Sequence, residues 1–446
     1  MNLRRWLSPG IGIKRWMLLV FVGLLLLALT FAYALRQATR DLEPGSLSQQ
    51  LFDVLTLGFL PPLARVVVVA GIGLGCVAIG SVMVIRAFMD PFRSDQGRQP
   101  LVEVIYQKRF LSRGPRIVAI GGGTGLSTLL RGLKEHTSNL TAVVTVADDG
   151  GSSGVLRNAL GIPPVGDIRN CIAALAEAEP LMSELLQYRF PAADGSPAAP
   201  HIEGPGLAGH AVGNLLLAAM TALEDGDFEE GVRRINRILA VRGQVVPATA
   251  TPLTLHARLT DGLVVDGQSA IMRTSGIEEV WVTPNHMEAS ADALEAIADA
   301  ELIVLGPGSL FTSLLPSLLI PAIRDAVAAA QAPRVYVCNV ATQAGETSGF
   351  DLAAHLEALA GHAGPGIVDV VLANTFFDAR IPDDWSAEPV GLRWPPTVEP
   401  VPRLVLEHVV DPDNAHHHDP ERLATALMAI LERESRLRRR TVGRTA

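Results

Sequence analysis

Asp148 and Asp149 stand side by side in VVTVADDGGSSG, with Ser152 and Ser153 just beyond them. Paired carboxylates could hold a divalent metal or take hydrogen bonds from sugar hydroxyls, and serine hydroxyls beside glycine amides suit a phosphate. An acidic residue about 20 positions past a glycine-rich turn is also where a dinucleotide fold grips ribose. Two aspartates followed by Gly-Gly-Ser-Ser-Gly exceed what a ribose clamp needs. The plain alternative is a capped turn with solvated aspartates.

Upstream, RIVAIGGGTGLSTLL carries Gly121, Gly122, Gly123, Thr124, Gly125 and Leu126. Glycines let the backbone turn sharply and approach an anion without a Cβ in the way, and a helix starting near Leu126 would aim free N–H groups at it. Leu126 occupies the place of the third glycine in a dinucleotide fingerprint. ELIVLGPGSLFTSLLP repeats the device with Gly306, Gly308 and Ser309, and YVCNVATQAGETSGF adds Asn339, Thr342, Glu346 and Phe350.

GDIRNC places Asp167, Arg169 and Asn170 at a helix start. Asp167 is either an N-cap or a site residue, and Arg169 either its ion-pair partner or a bidentate phosphate ligand. GHAVGN sets His210 and Asn214 four apart, on one face of a helix, where the adjoining glycines and the amide favour a site over a structural histidine. Consecutive histidines in HHHDP (416–420) cannot all reach one ion, so that tract reads as capping or solvated.

The elements that must hold these residues are short apolar runs, each closing on small or polar residues: RIVAIG, LTAVVTVADDGG, ELIVLGPGS, RVYVCNV and DVVLANT. Alanine-rich helical stretches separate them. The pattern predicts a Rossmann-like, doubly wound, mainly parallel α/β sheet, with ligands outside the carboxyl ends of the strands. LTLHARLTDGLVVDGQSAI (253–271) alternates and holds two Asp-Gly pairs, which predicts a β-hairpin excursion. Domain boundaries are placed at 1–90 for an N-terminal membrane hairpin, 91–115 for a linker, 116–432 for the α/β domain and 433–446 for a basic tail.

The chain of 446 residues carries a formal net charge of −9, which gives no basic face for nucleic acid. Three cysteines make neither a disulfide framework nor a zinc set and fit a reducing compartment. Two uncharged apolar runs, 17–35 and 66–85, are long enough to span a bilayer core of ~30 Å. Arg4, Arg5, Lys14 and Arg15 before the first, and Arg86, Arg93 and Arg98 after the second, put both termini in the cytoplasm. The expected location is therefore the cell membrane, multi-pass, with the α/β domain in the cytoplasm. AYA at 32–34 resembles a signal-peptidase site; cleavage there would leave the second span and the same location.

Taken together, IGGGTGLSTLLRGL, VTVADDGGSSGVLR, GDIRNC, GHAVGN, GPGSLFTS and YVCNVATQAGET resemble the YvcK-type gluconeogenesis factor family, in the superfamily of the CofD-like 2-phospho-L-lactate transferases. The resemblance covers about Arg116 to the low 430s. It implies a nucleotide-sugar ligand of UDP-N-acetylglucosamine type and a regulatory role linked to carbon metabolism, cell shape and cell-wall synthesis. It implies that Gly121 to Leu126 and Gly306 to Ser309 cradle phosphates. Asp148 and Asp149 would face ribose, sugar or a divalent metal such as Mg, while Asp167, Asn170, His210 and Asn214 line the remainder. Protein partners from wall synthesis or carbon metabolism, and a homo-oligomer, are further expectations. Where the family often has GHSFGN and TQPGET, this chain has Ala211, Val212 and Ala344, and Phe350 stands where a tyrosine is usual; Phe350 could stack on a base. The alternatives are a phospholactyl-type transferase using a nucleotide diphosphate donor and, last, a NAD-dependent oxidoreductase.

Overall fold

Apolar runs flanked by glycine become strands because β-branched residues pack well on a pleated, doubly covered surface. In the computed structural model the described residues are 110–177, 179–191, 206–377 and 387–445, with five isolated positions before residue 65. Most of the first apolar run and all of the second lie outside them; Leu24, Leu25 and Ala28 are helical. Among the described residues no single helix is long and apolar enough to cross a membrane. One bent helix pair, Leu310–Leu318 with Pro321–Ala329, passes on length and composition alone. Its apolar side chains Leu310, Phe311, Leu314, Leu315 and Leu318 are core residues.

The chain divides after Lys108, and the α/β unit follows. Its first half runs β1 (Ile117–Gly121), α1 (Gly123–Leu133), β2 (Leu140–Val144), α2 (Gly151–Leu160), α3 (Gly166–Leu175), α4 (Glu179–Gln187), α5 (Val212–Leu223), α6 (Phe228–Ile238) and β3 (Gln244–Pro247). An excursion of β4 (Thr254–Leu259), β5 (Val264–Asp266) and β6 (Ile277–Thr283) comes next. The second half is α7 (Ala291–Asp299), β7 (Leu302–Leu305), α8 (Pro321–Ala329), β8 (Arg334–Val337), α9 (Leu352–Ala363), β9 (Val370–Asn374) and β10 (Arg403–Glu407). A hairpin, β11 (Val410–Asp411) and β12 (Asn414–His418), and the helix α10 (Pro420–Thr445) close the chain.

Seven strands form one sheet in the order β10-β9-β8-β7-β1-β2-β3, every pair parallel. Winding leaves β1 toward β2 and β3, then returns to β7 and proceeds the other way. The switch point therefore lies between β1 and β7, and a crevice opens there at the carboxyl ends. Strands β1, β2, β7 and β9 are buried along their whole length, as a sheet covered on both faces requires. The excursion is a three-stranded antiparallel sheet, β5-β4-β6, one strand more than the expected hairpin. The stretch read as a basic tail at 433–446 continues α10 as far as Thr445. Cys171 and Cys338 are free and buried, and burial pushes the Cys338 thiol up to about 12.

Candidate functional site

Two glycine-bearing turns meet at the switch point. Helix α1 starts at Gly123, earlier than the sequence suggested, so Gly123, Thr124 and Gly125 form its first turn behind the N-cap Gly122. Gly123 has φ +66°, in the left-handed region that favours glycine. Gly125 is needed for packing: a Cβ there would lie 2.7 Å from the Pro307 carbonyl oxygen of the second turn. The second turn is braced from β8. Asn339 Oδ1 accepts the Gly308 N–H at 3.3 Å, and Gln343 Nε2 donates to Ser309 Oγ at 2.7 Å. Buried Glu346 caps the helical turn at 310–314, accepting the N–H groups of Phe311 at 2.8 Å and Thr312 at 3.2 Å and the Thr312 hydroxyl at 3.0 Å. Burial raises its carboxyl above the usual range, and those bonds oppose the rise.

Between these turns lies a cleft of about 640 Å³. Gly122 to Gly125 and Pro307 to Ser309 form one wall, Asn339 to Gln343 another, and Gln268 and His416 to His418 contribute from the excursion and β12. No lysine or arginine lines it among the described residues. An anion here would be met by backbone N–H groups at the α1 N-terminus.

Asp148 and Asp167 also line the cleft. Asp167 sits in the first turn of α3, whose N-cap is Val165, so it is not itself the cap. Its carboxylate accepts the Gly123 N–H and fills the space a Gly122 side chain would need. Burial, reinforced by Asp148, pushes the Asp167 carboxyl up to about 7. Asp148 is raised too, chiefly by burial, while its hydrogen bonds to Gly150 N–H and Ser153 oppose the rise. Such a pair favours a shared proton or a cation.

Beyond these carboxylates a second lobe of about 240 Å³ is lined by Ser152, Ser153, Arg169, Asn170, Arg189 and Asn214 among others. Arg169 donates from Nη1 to Asn214 Oδ1 and from Nη2 to Asn170 Oδ1, both at 3.0 Å. Asn214 Nδ2 donates to Ser152 Oγ at 3.0 Å, and Ser152 Oγ also bonds His210 Nδ1 at 3.0 Å. Three separated sequence segments thus form one network. Burial, then the Arg189 charge, pulls the Arg169 guanidinium down to about 10 and holds His210 below its usual value.

Residues 117–387 match the family described as 2-phospho-L-lactate transferase CofD. A gluconeogenesis factor from Bacillus subtilis (strain 168) is 43% identical over 335 residues, covering 72% of this chain and 100% of that protein. The chain belongs to the gluconeogenesis factor family, within the CofD-like proteins. A relative from Nostoc sp. is 42% identical over 446 residues, covering 95% of this chain and 91% of its own. A crystal structure of a Bacillus halodurans protein, 41% identical, matches with a TM-score of 0.62 over 71% of this chain and 100% of that one.

Within this chain the expected site residues separate into three groups. Gly122, Gly123, Thr124, Gly125, Asp148, Asp167, Gly308, Ser309, Asn339 and Thr342 line the cleft, although the Thr342 hydroxyl is engaged by the Glu388 N–H at 3.0 Å. Ser152, Ser153, Arg169, Asn170 and Asn214 line the second lobe, with His210 bonded behind Ser152. Gly121, Leu126, Asp149, Gly306 and Phe350 line neither.

The reasons are physical. Leu126 is fully buried core on the inner face of α1. Phe350 packs edge-on against Phe311 and His355, with centroids 6.0 and 5.5 Å away, and so presents no stacking face to the cleft. Asp149 turns to the excursion, where its Oδ1 accepts the Ser269 N–H at 2.9 Å. The Asp148–Asp149 metal pair is therefore not formed; the carboxylate that joins Asp148 is Asp167. Among the described residues no group of three or more His, Cys, Asp or Glu side chains is placed to hold a metal. His210 precedes α5 rather than riding on it with Asn214, yet both reach Ser152.

Three contributors were missed. Arg189 follows α4 and enters the second lobe. Gln268 reaches over from the excursion and donates to the Thr312 carbonyl at 2.9 Å. The histidine tract, expected as capping or solvated, forms β12 and lines the cleft. His418 is buried there, bonds the Cys338 carbonyl at 3.2 Å, and is pulled by burial to about 4.

Proposed function

We propose that this protein binds a nucleotide sugar of UDP-N-acetylglucosamine type and acts as a membrane-anchored regulator. The observation that carries this is the pairing of two glycine-bearing turns, from β1 and β7, across one cleft of about 640 Å³. That volume lies within the ~300–1,000 Å³ usual for small-ligand sites. Backbone N–H groups at the start of α1 suit a diphosphate, and the neutral amides of Asn339 and Gln343 suit hydroxyls or a uracil edge. Leu126, buried where a dinucleotide fingerprint needs glycine, weighs against NAD.

A diphosphate beside Asp148 and Asp167 would be repelled unless the carboxylates carry a proton or share a cation. Mg²⁺ suits this pair, because it commonly takes one or two carboxylates together with substrate phosphates. When bound, it would neutralise phosphate charge. Asp148 and Asp167 would hold it, and the Gly123 N–H keeps the Asp167 carboxylate oriented.

Apolar runs at 17–35 and 66–85 with basic flanks support a cell-membrane location with the α/β domain in the cytoplasm. The family resemblance supports extending the proposal to a role in carbon metabolism, cell shape and wall synthesis. Calorimetry on the full chain with UDP-N-acetylglucosamine, UDP, GDP and NAD tests the ligand class. Heat with the uridine ligands and none with NAD supports the reading, and tight NAD binding alone overturns it.

A second reading, a phospholactyl-type transferase, is favoured by the carboxylate pair beside the phosphate cradle and by the CofD match. Metal-dependent consumption of a nucleotide diphosphate donor, with a phosphodiester product seen by mass spectrometry, would place it first.

A further inference from the structure

The second lobe holds an imbalance of charge that the nucleotide-sugar reading does not use. Arg169 is buried, at 5% exposure, yet makes no ion pair among the described residues. Its two guanidinium hydrogen bonds end on the neutral amide oxygens of Asn214 and Asn170, and its Nε is buried with no partner. Arg189 shares the lobe, gives one N–H to the Gly209 carbonyl at 2.8 Å, and likewise makes no ion pair among the described residues. A buried cation without a bonded anion is costly, and a second cation facing the same small space adds to that cost. Asp148 and Asp167 lie on the shared wall and offset part of the charge, but neither bonds Arg169.

We infer that the second lobe binds the phosphate group of a second small ligand, at the same time as the cleft holds its own. A dianion matches two guanidinium charges where a single carboxylate would not, and a tetrahedral phosphate can give each fork its own oxygens. Asn170, Asn214 and Ser152 supply neutral polar atoms around it, and the lobe's 240 Å³ leaves room for a phosphate and a few attached atoms. Placed there, the second phosphate stands next to Asp148 and Asp167, across the wall from the glycine cradle. The site would then register two ligands together, whatever the cradle holds.

Calorimetric titration of the full chain with inorganic phosphate, and separately with glycerol phosphate, tests this with and without saturating UDP-N-acetylglucosamine. One equivalent of phosphate that depends on Arg189 should bind in both conditions. Stronger binding of glycerol phosphate than of inorganic phosphate identifies a phosphomonoester as the source, and the reverse order identifies free phosphate. Arg189→Gln, at an exposed position, should keep the fold and weaken phosphate by roughly 10- to 100-fold, as expected for losing a charge-assisted hydrogen bond. Arg169→Lys, which keeps the charge and loses the fork, should weaken phosphate as well. Undiminished phosphate binding by Arg189→Gln, displacement of phosphate by the nucleotide sugar, or no phosphate uptake at millimolar concentration would each overturn the proposal. The titration without nucleotide reads this lobe even if no nucleotide sugar binds.

Discussion

The carboxylate of Asp167 occupies the space where a side chain on Gly122 would lie, and accepts the N–H of the next residue, Gly123. The glycine turn after β1 is thus shaped by an acid from α3 as much as by any anion it receives. Adding even a methyl at Gly122 must push Asp167 or Thr145 aside. Gly122→Ala should cost about 1–3 kcal/mol of stability, the usual range for overpacking. It should also weaken nucleotide-sugar binding at least tenfold. Thermal unfolding and calorimetry on the same samples would separate the two effects.

Asp167 makes ligand affinity depend on pH. Its carboxyl titrates at about 7 in the folded chain against 3.8 as a free side chain. Without metal, nucleotide-sugar binding should weaken as pH rises through 7, because a second negative charge then faces the phosphates. With Mg²⁺ the trend should reverse, since a metal needs the deprotonated acid. Stability has its own sign. Between 3.8 and about 7 the folded chain keeps a proton that the unfolded chain has lost, so stability falls as pH rises across that window and levels off above it. Asp167→Asn should flatten all three profiles, measured by calorimetry and denaturant melts from pH 4 to 8.

Asn214→Ala leaves Arg169 Nη1 and the Ser152 hydroxyl each short of a partner inside the protein. Stranding a buried charged group and a hydroxyl should cost about 2–5 kcal/mol. Asn214→Asp would instead give Arg169 an anion; it should recover stability while abolishing phosphate binding in the second lobe. Urea titration of both variants measures the first effect and phosphate calorimetry the second.

Glu346→Gln tests the brace of the second turn. The amide oxygen can still take the Phe311 and Thr312 N–H groups that share Oε1, but the amide nitrogen in place of Oε2 no longer accepts the Thr312 hydroxyl. A loss of about 1–3 kcal/mol is expected. Faster hydrogen exchange at Phe311 and Thr312, compared with the unaltered chain, would locate it there.

Phe350→Leu removes edge contacts to Phe311 and His355 without touching the cleft. It should lower stability by about 1 kcal/mol, in the range of aromatic pair energies, and leave nucleotide-sugar affinity unchanged. A loss of affinity on calorimetry would return Phe350 to the site.

What was legible in the sequence was the end of each strand. Apolar runs closing on Gly121, Asp148, Gly306 and Asn339 placed the turns at those points along the carboxyl end of one sheet, and the parallel order gathered the turns at one crevice. What was not legible was the direction of each side chain. Asp148 and Asp149 are neighbours in the loop between β2 and α2, yet their side chains part, so that one meets Asp167 and the other the excursion. Leu126 and Phe350 sit in site motifs but were claimed by the core, where their apolar area is worth most. Arg189 and the 416–418 tract reach the site only through tertiary packing. The Asp-Pro-Asp-Asn turn before the histidines is the available signal for a hairpin, which a reading of the run as capping or solvated passes over.

The most direct test is a crystal structure of the full chain, or of its α/β unit from Arg109 onward, with UDP-N-acetylglucosamine and Mg²⁺. The diphosphate should lie against the backbone of Gly122 to Gly125 and Pro307 to Ser309, with the metal between it and the carboxylates of Asp148 and Asp167. A nucleotide bound outside this cleft, or no bound uridine ligand at saturating concentration, would contradict the account.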